Sequence, residues 1–326
     1  MTAVAEQPVA AAAEAPAARG PRRRSRPTGI AGRREWLWGL AFIAPTGLGL
    51  LAFYIWPVFQ TLYFSFTEWG AFGGHRWVGL ENYAKLLGDP EVLKALKNTL
   101  VYAGLVLLGV PVSLVLAALI NTPGLRGAPV YRVLYFLPVV TMPAAVGMVW
   151  RWLYNGDLGL VNYVLSLFGI SGQHWVADPR FALYATVVVG IWMTVGYNMV
   201  IFAAGLNGIP RDYYEAAELD GAGRIRQFFS ITLPMLSPTA FFITVLTSIG
   251  ALQVFDVIYL MLGTNSSALR NPAIDENKTI VFLFYERAFV DNDKGYAAAV
   301  AFVLLLVILV LTAIQFRAQK KWVHYA

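Results

Sequence analysis

The chain has 326 residues, 58% of them hydrophobic and only 13% charged, with a formal net charge of +6 and a mean hydropathy of +0.58. A soluble domain carries about a quarter charged residues, so the deficit points to a polytopic membrane protein. Cysteine is absent, which excludes a disulfide framework, a thiolate metal site and a cysteine nucleophile. His75, His174 and His324 are too far apart in sequence to read as a metal cluster.

Residues 1–35 contain Arg19, Arg22, Arg23, Arg24, Arg26, Arg33 and Arg34 in an Ala- and Pro-rich segment with no apolar period. The composition predicts a disordered basic arm. Its charge would suit nucleic acid, but beside an apolar span it reads as a topological anchor at anionic lipid headgroups, with no nucleic-acid partner. GRREWLWGL at 32–40 resembles a twin-arginine export signal. No small-residue cleavage site follows and the apolar run is long enough to span, so it is read as an uncleaved first helix.

A membrane crossing takes about 20 mostly apolar residues. Six such runs follow, at 36–58, 99–120, 131–153, 182–206, 238–262 and 296–316. The fold class is therefore all-α, with six transmembrane helices over 36–326. Trp36, Trp38, Tyr54, Trp56, Trp150, Trp152 and Tyr154 mark span ends, where amphipathic rings prefer to sit. Pro45, Pro111, Pro138 and Pro143 fall inside spans, and each predicts a kink because it removes a helix hydrogen bond. Lys and Arg are denser in the arm, 121–130, 207–237 and 317–326, fourteen in all, than in 59–98, 154–181 and 263–295, which hold nine over a greater length. That asymmetry predicts cytoplasmic N- and C-termini.

The cytoplasmic connection at 207–235 is too polar for lipid yet not a linker composition. Tyr213, Ala216, Ala217, Leu219 and Ala222 give one partly apolar helical face, and Phe228, Phe229, Ile231 and Leu233 a second. Gly221 and Gly223 lie between, where a chain can turn sharply. The segment reads as helix, turn, helix outside the membrane. Ser237 is expected to cap the next helix, with Pro238 at its first position.

The segment also matches a known signature. EAA at 215–217, Gly221, Ile231 and Leu233-Pro234 resemble the EAA---G---------I-LP signature of ABC importer permeases at every position and spacing. WVGLENYAKLL at 77–87, ALKNTL at 95–100, RVLYFLPVV at 132–140, GLVNYVL at 159–165 and LQVFDVIYLM at 252–261 look like segments of carbohydrate-uptake permeases of the maltose and glycerol-phosphate type. The likeness runs from about residue 36 to the C-terminus. One departure is LGTNSSALRNP at 262–272, where that family often has a Gly-Gly-Pro turn.

The resemblance implies a type I ABC importer permease fold in a bacterial cytoplasmic membrane. It implies a second permease subunit, an ATPase dimer at the cytoplasmic face and an extracytoplasmic solute-binding protein. It implies that Glu215, Ala216, Ala217, Asp220 and Gly221 touch the ATPase, with Arg224 and Arg226 at the rim. No GxxxxGK[ST] phosphate loop occurs in the chain, so ATP hydrolysis is expected in another subunit, and no cofactor or metal is expected here.

Asp256 is the clearest ionisable residue within a span, a rare and often functional placement. Gln253, three residues back, is expected to share its helical face. Trp192, Thr194, Tyr197 and Asn198 supply aromatic and amide groups in the fourth span. Ring stacking and amide or carboxylate hydrogen bonds hold sugars, and the resemblance puts the sugar path along the fourth and fifth spans. Trp192, Tyr197, Asn198, Gln253 and Asp256 are thus the candidate substrate pathway. A structural interhelical bond is the alternative role for Asp256 and Gln253. No buried basic cluster is evident for a phosphate head group, which favours a neutral sugar; the alternative cargo of the same importer type is sn-glycerol-3-phosphate, a polyamine or another small polar solute. A secondary transporter would need a second buried carboxylate or a basic partner, and a membrane enzyme would need a nucleophile or metal cluster. Neither is visible.

Overall fold

The computed structural model describes residues 30–69, 74–122, 124–263 and 271–323, with side chains from residue 35 onward. Residues 1–29 of the expected arm, His324 and residues 264–270 of the divergent loop lie outside the described residues. Helix already begins at Ile30, so the last six residues assigned to the arm belong to the first helix.

The chain divides into two units, Met1–Pro57 and Val58–Ala326. The first carries α1 (Ile30–Leu50) and a π-helical turn at Leu51–Ile55. Large apolar side chains point out all round it, with Trp36, Phe42, Phe53 and Trp56 each more than half exposed. Apolar residues on every side are the pattern of a membrane-spanning helix rather than of one with a single apolar face. Pro45 is accommodated within α1. Helix α2 is Trp56–Ser65, and the apolar helical stretch runs Glu35–Ser65, seven residues beyond the expected end at 58.

In the second unit a short hairpin, β1 (Thr67–Trp69) with β2 (His75–Trp77), pairs antiparallel with Glu68 opposite Arg76. Then come α3 (Glu81–Gly88), α4 (Pro90–Val106), α5 (Gly109–Ile120), α6 (Ala128–Val140), α7 (Pro143–Leu153), α8 (Leu160–Leu167) and α9 (Ala182–Asn207). They are followed by α10 (Arg211–Leu219), α11 (Arg224–Gln227), a π turn at Phe228–Thr232, α12 (Leu233–Met235), α13 (Ser237–Leu252), α14 (Asp256–Leu262), α15 (Pro272–Asn277), α16 (Ile280–Tyr285) and α17 (Lys294–Trp322). Among the described residues, four helical stretches are long and apolar enough to cross a membrane, or six if each of two bent pairs is one span.

Prolines shape these spans unequally. Pro111 lacks the N–H that would bond the Leu107 carbonyl, and Val110 N–H bonds that carbonyl instead at 3.0 Å, so α4 and α5 continue as one long stretch. The expected third span is not one kinked helix. α6 and α7 meet at 102°. Met142, just before Pro143, is extended, the conformation that proline imposes on its predecessor. Thr141 is extended too. Pro138 stays inside α6. Helix α13 has 16 residues, roughly 24 Å at 1.5 Å per residue, short of the ~30 Å hydrocarbon core. The chain continues through a break at 253–255 into α14.

Two cores hold the unit together. One gathers α4, α7, α9, α14, α16 and α17 around Val106, Val146, Ile258, Met261, Leu283 and Val300. The other gathers α5, α9 and α13 around Leu114, Ala117, Met199, Phe202, Leu236 and Ile243. Where α6 crosses α9, a Cβ on Gly196 would run into the Tyr135 carbonyl oxygen, so only glycine lets the two backbones approach this closely.

Asparagines in the motifs at 77–87, 95–100 and 159–165 tie the loops down. Asn82 donates to the Ser65 and Thr67 carbonyls, both at 2.9 Å, while Tyr83 Oη lies 2.7 Å from Ser65 Oγ. Asn162 donates to the Gly156 and Gln173 carbonyls and accepts from Trp175 Nε1 at 2.7 Å. Asn98 donates to the Glu276 and Lys278 carbonyls, and Thr99 Oγ1 accepts from Ile280 N–H. These bonds satisfy carbonyls and amides that helix ends and turns leave open.

Candidate functional site

The segment between α9 and α13 is built as a two-helix projection. Helix α10 ends in a glycine cap: Gly221 has φ +75°, its N–H bonds the Glu218 carbonyl at 3.0 Å, and Ala222 N–H bonds the Ala217 carbonyl at 2.8 Å. These are the two bonds of a Schellman motif, and the left-handed residue in it is normally glycine. The turn then reverses the chain into α11, where Gln227 donates back to the Ala222 carbonyl at 2.9 Å. Tyr214 Oη lies 2.9 Å from Thr232 Oγ1, fastening α10 to the π turn. A π turn at this place fits the tendency of such turns to occur at functional sites.

The projection has an anchored half and an open half. Tyr214, Phe228, Ile231 and Met235 pack against the core formed by α5, α9 and α13. Glu215, Ala216, Asp220 and Gly221 are exposed and Ala217 is half-buried. Leu219 and Ile225 protrude at 90% and 78% exposure, large apolar side chains with nothing of this chain over them. A Cβ on Gly221 would meet no atom within 4 Å. All five residues expected at the ATPase contact thus lie on one short helix and its cap. Sequence reasoning assigned Phe228 and Ile231 to a helix face but had no signal for the π turn or the Tyr214–Thr232 bond. Ser237 does not cap α13 as expected. It is the first helical residue, and its hydroxyl donates back to the Pro234 carbonyl at 2.7 Å. Pro238 is therefore second, not first.

Within the bundle a cavity of about 410 Å³ is lined by α4, α6, α7, α9, α13 and α14 residues. Its polar groups include Thr141, Thr194, Tyr197, Asn198 and Thr247, among aliphatic walls. Tyr197 is half exposed, whereas Asn198 is buried and donates to Thr247 Oγ1 at 3.3 Å, linking α9 to α13. The other three pathway candidates are elsewhere. Trp192 packs edge-on to Trp150, with centroids 5.6 Å apart, in an aromatic group that continues to Tyr154 and Trp175. Gln253 and Asp256 are exposed and do not line the cavity. They do not share a helical face either: Gln253 follows the end of α13, Phe255 leaves helical geometry at φ −133°, and Asp256 begins α14. The Val254 carbonyl freed at this break accepts from Thr279 Oγ1 at 3.2 Å, a partner 25 residues away that no local pattern announces.

The segments at 91–94, 178–180 and 275–291 carry ion pairs. Lys278 is 4% exposed, and its Nζ lies 2.7 Å from Glu286 and 3.6 Å from Glu91, which also pairs with Arg287 at 2.8 Å. Arg180 hydrogen-bonds Asp178 and pulls its carboxyl below the usual range, to about 2.

Comparisons agree with this architecture. The family described as binding-protein-dependent transport system inner membrane component matches residues 97–324. The probable ABC transporter permease protein YesP of Bacillus subtilis (strain 168) is 36% identical over 302 residues, covering 90% of this chain and 94% of that protein. The sn-glycerol-3-phosphate transport system permease protein UgpA of Pectobacterium atrosepticum is 33% identical over 295 residues, covering 90% and 97%. A chain of a bacterial alginate ABC transporter, crystallised in complex with an alginate pentasaccharide-bound periplasmic protein, superposes with a TM-score of 0.77 at 24% identity, over 89% of this chain and 96% of that one. The chain belongs to the family of binding-protein-dependent transport system inner membrane components and is a permease subunit of an ABC importer.

Proposed function

We propose that the chain carries a sugar across a bacterial cytoplasmic membrane, paired with a second permease subunit and driven by an ATPase dimer docked on α10 and α11. The observation that carries the docking is the two-sided build of that segment: one half packed into the core, the other presenting Glu215, Ala216, Asp220 and Gly221 with the uncovered Leu219 and Ile225. A rigid projection fastened by Tyr214–Thr232 and Gln227–Ala222 transmits a push into α13. Both termini are assigned to the cytoplasm from the Lys and Arg bias. The second permease subunit would cover apolar surface such as Leu134 and Leu137 on α6, each more than half exposed.

The cavity supports the sugar reading. It offers two tyrosine rings, a carboxamide and three threonine hydroxyls among aliphatic walls, a composition that suits a polar, uncharged ligand. We assign Tyr197 and Asn198 to its lining, and Trp192, Gln253 and Asp256 to positions that substrate passes outside it. An extracytoplasmic binding protein would deliver the substrate; the alginate transporter named above was crystallised with such a periplasmic protein.

The test is a gentle-detergent pull-down of the tagged chain from its native membrane, with mass spectrometry of what stays bound. The expected outcome is a nucleotide-binding ATPase and a second permease, with the ATPase lost when Glu215 and Gly221 are changed together. Recovery of the chain alone, with uptake intact, would overturn the docking. Radiolabelled uptake competed by sugars, and not by sn-glycerol-3-phosphate, separates the two substrate classes.

A further inference from the structure

A second cavity, of about 510 Å³, lies between α5, α6 and α9. Most of its wall is apolar, including Ala117, Val133, Phe136, Met199 and Val200. Its polar members are three. Asn121 caps the end of α5, Asn207 is the last residue of α9, and Arg132 is in the second turn of α6. All three sit at the α10 end of the bundle, because only residues 208–210 separate α9 from α10. The polar groups are joined in a chain. Asn121 Nδ2 donates to Asn207 Oδ1 at 3.0 Å, and Arg132 Nη2 donates to Asn121 Oδ1 at 3.3 Å.

A guanidinium has five N–H donors in a flat fork that fits phosphate and carboxylate oxygens. That one long bond is the only polar contact Arg132 makes among the described residues, and it has no ion pair there. Arg132 is exposed at the end of an apolar span, where basic side chains meet the anionic groups that the surroundings supply. The cavity therefore joins an unneutralised fork and a pair of carboxamides to an apolar trough.

We propose that this cavity holds a phosphate-bearing head group. Arg132 would face the phosphate oxygens, and Asn121 and Asn207 the hydroxyl or ester oxygens beside them. The same polar end could take the head of an anionic phospholipid or a free phosphate ester. The apolar walls below it favour the lipid, whose acyl chain would cover them. Basic pockets between helices on the cytoplasmic side are known settings for anionic headgroups. The leaflet assignment rests on the orientation proposed above; the binding itself does not.

The experiment is native mass spectrometry of the full-length chain with its retained partners, delipidated in mild detergent. It is challenged separately with phosphatidylglycerol, with diacylglycerol, which lacks the phosphate, and with inorganic phosphate. Phosphatidylglycerol retention should exceed that of diacylglycerol and fall on the order of tenfold in Arg132→Gln, as expected when a charge-assisted hydrogen bond is removed. Asn207→Asp keeps the side-chain shape and adds a negative charge, so it should lower retention too and guards against misfolding of the first variant. Arg151→Gln, at the far end of α7, should change nothing. Arg132-dependent binding of inorganic phosphate with no preference for phosphatidylglycerol over diacylglycerol would assign the site to a soluble phosphate ester. Equal retention of the two lipids with no phosphate binding, or phosphatidylglycerol retention unchanged in both site variants, would overturn the proposal. The same spectra report whether an ATPase stays attached, so failure here is distinguishable from failure of the docking.

Discussion

Gly221→Val isolates what the glycine of the signature does. The residue sits at φ +75° with open space around its Cα, so a valine would not collide with neighbours. The penalty is conformational. A left-handed backbone costs an ordinary L residue roughly 1–2 kcal/mol, and a β-branched one falls at the upper end. To escape it, the chain must give up the bonds from Gly221 to Glu218 and from Ala222 to Ala217, each contributing about 1 kcal/mol. Either way about 2 kcal/mol stands against the native cap, which is roughly a 30-fold change in its population. Affinity for a partner that needs the native cap falls by the fraction lost. The variant should insert normally, since no core atom is near Gly221, yet retain ATPase less well in quantitative pull-down, by up to about 30-fold, with uptake falling in parallel. Gly221→Asn, which tolerates the left-handed region, should stay near the parent. Full ATPase retention by Gly221→Val would refute the reasoning. A Gly221→Asn variant as damaged as Gly221→Val would also refute it, because bareness of the surface, not the dihedral, would then be what the partner requires.

Two further outcomes concern the frame. Gly196→Ala places a Cβ against the Tyr135 backbone carbonyl, which cannot swing aside, so it should destabilise by about 3 kcal/mol. Gly104→Ala in α4 meets no atom within 4 Å and should do no harm. Thermal unfolding in detergent separates them, and equal melting temperatures would count against backbone contact between α6 and α9. Lys278→Met removes the charge facing Glu286 at 2.7 Å in a site where Lys278 is 4% exposed. Glu286 keeps some solvent, so the loss should be roughly 2–3 kcal/mol, and adding Glu286→Gln should recover part of it. No recovery in the double variant would mean that the pair is not what holds the loop.

Several features could be read from the chain alone because their causes are local. Apolar run length marks the spans, since an unpaired backbone in lipid leaves helix as the solution for each run. The spacing from Glu215 to Pro234 marks the two-helix projection between α9 and α13, and Gly221 marks its turn because few other residues accept that dihedral. Pro143 marks a bend.

The size and consequences of these features depend on contacts between residues far apart in sequence. The bend at Thr141–Met142 reaches 102° with α7 packed on α14. The break at 253–255 carries no proline. It is held by Thr279, and Thr279 is placed by the bonds of Asn98 and Thr99 to residues 276–280. An i, i+3 argument for Gln253 and Asp256 assumes an unbroken helix, and that assumption fails when a hydrogen bond from another segment satisfies the freed carbonyl. Asn82, Asn98 and Asn162 look alike in sequence, as polar residues beside apolar runs. Only the folded chain shows that each donates two bonds to the carbonyls of a loop. Helix propensity, turn chemistry and hydrophobic length are properties of a few neighbouring residues, so they were already written in the sequence. Which carbonyl meets which amide across 180 residues was decided by packing.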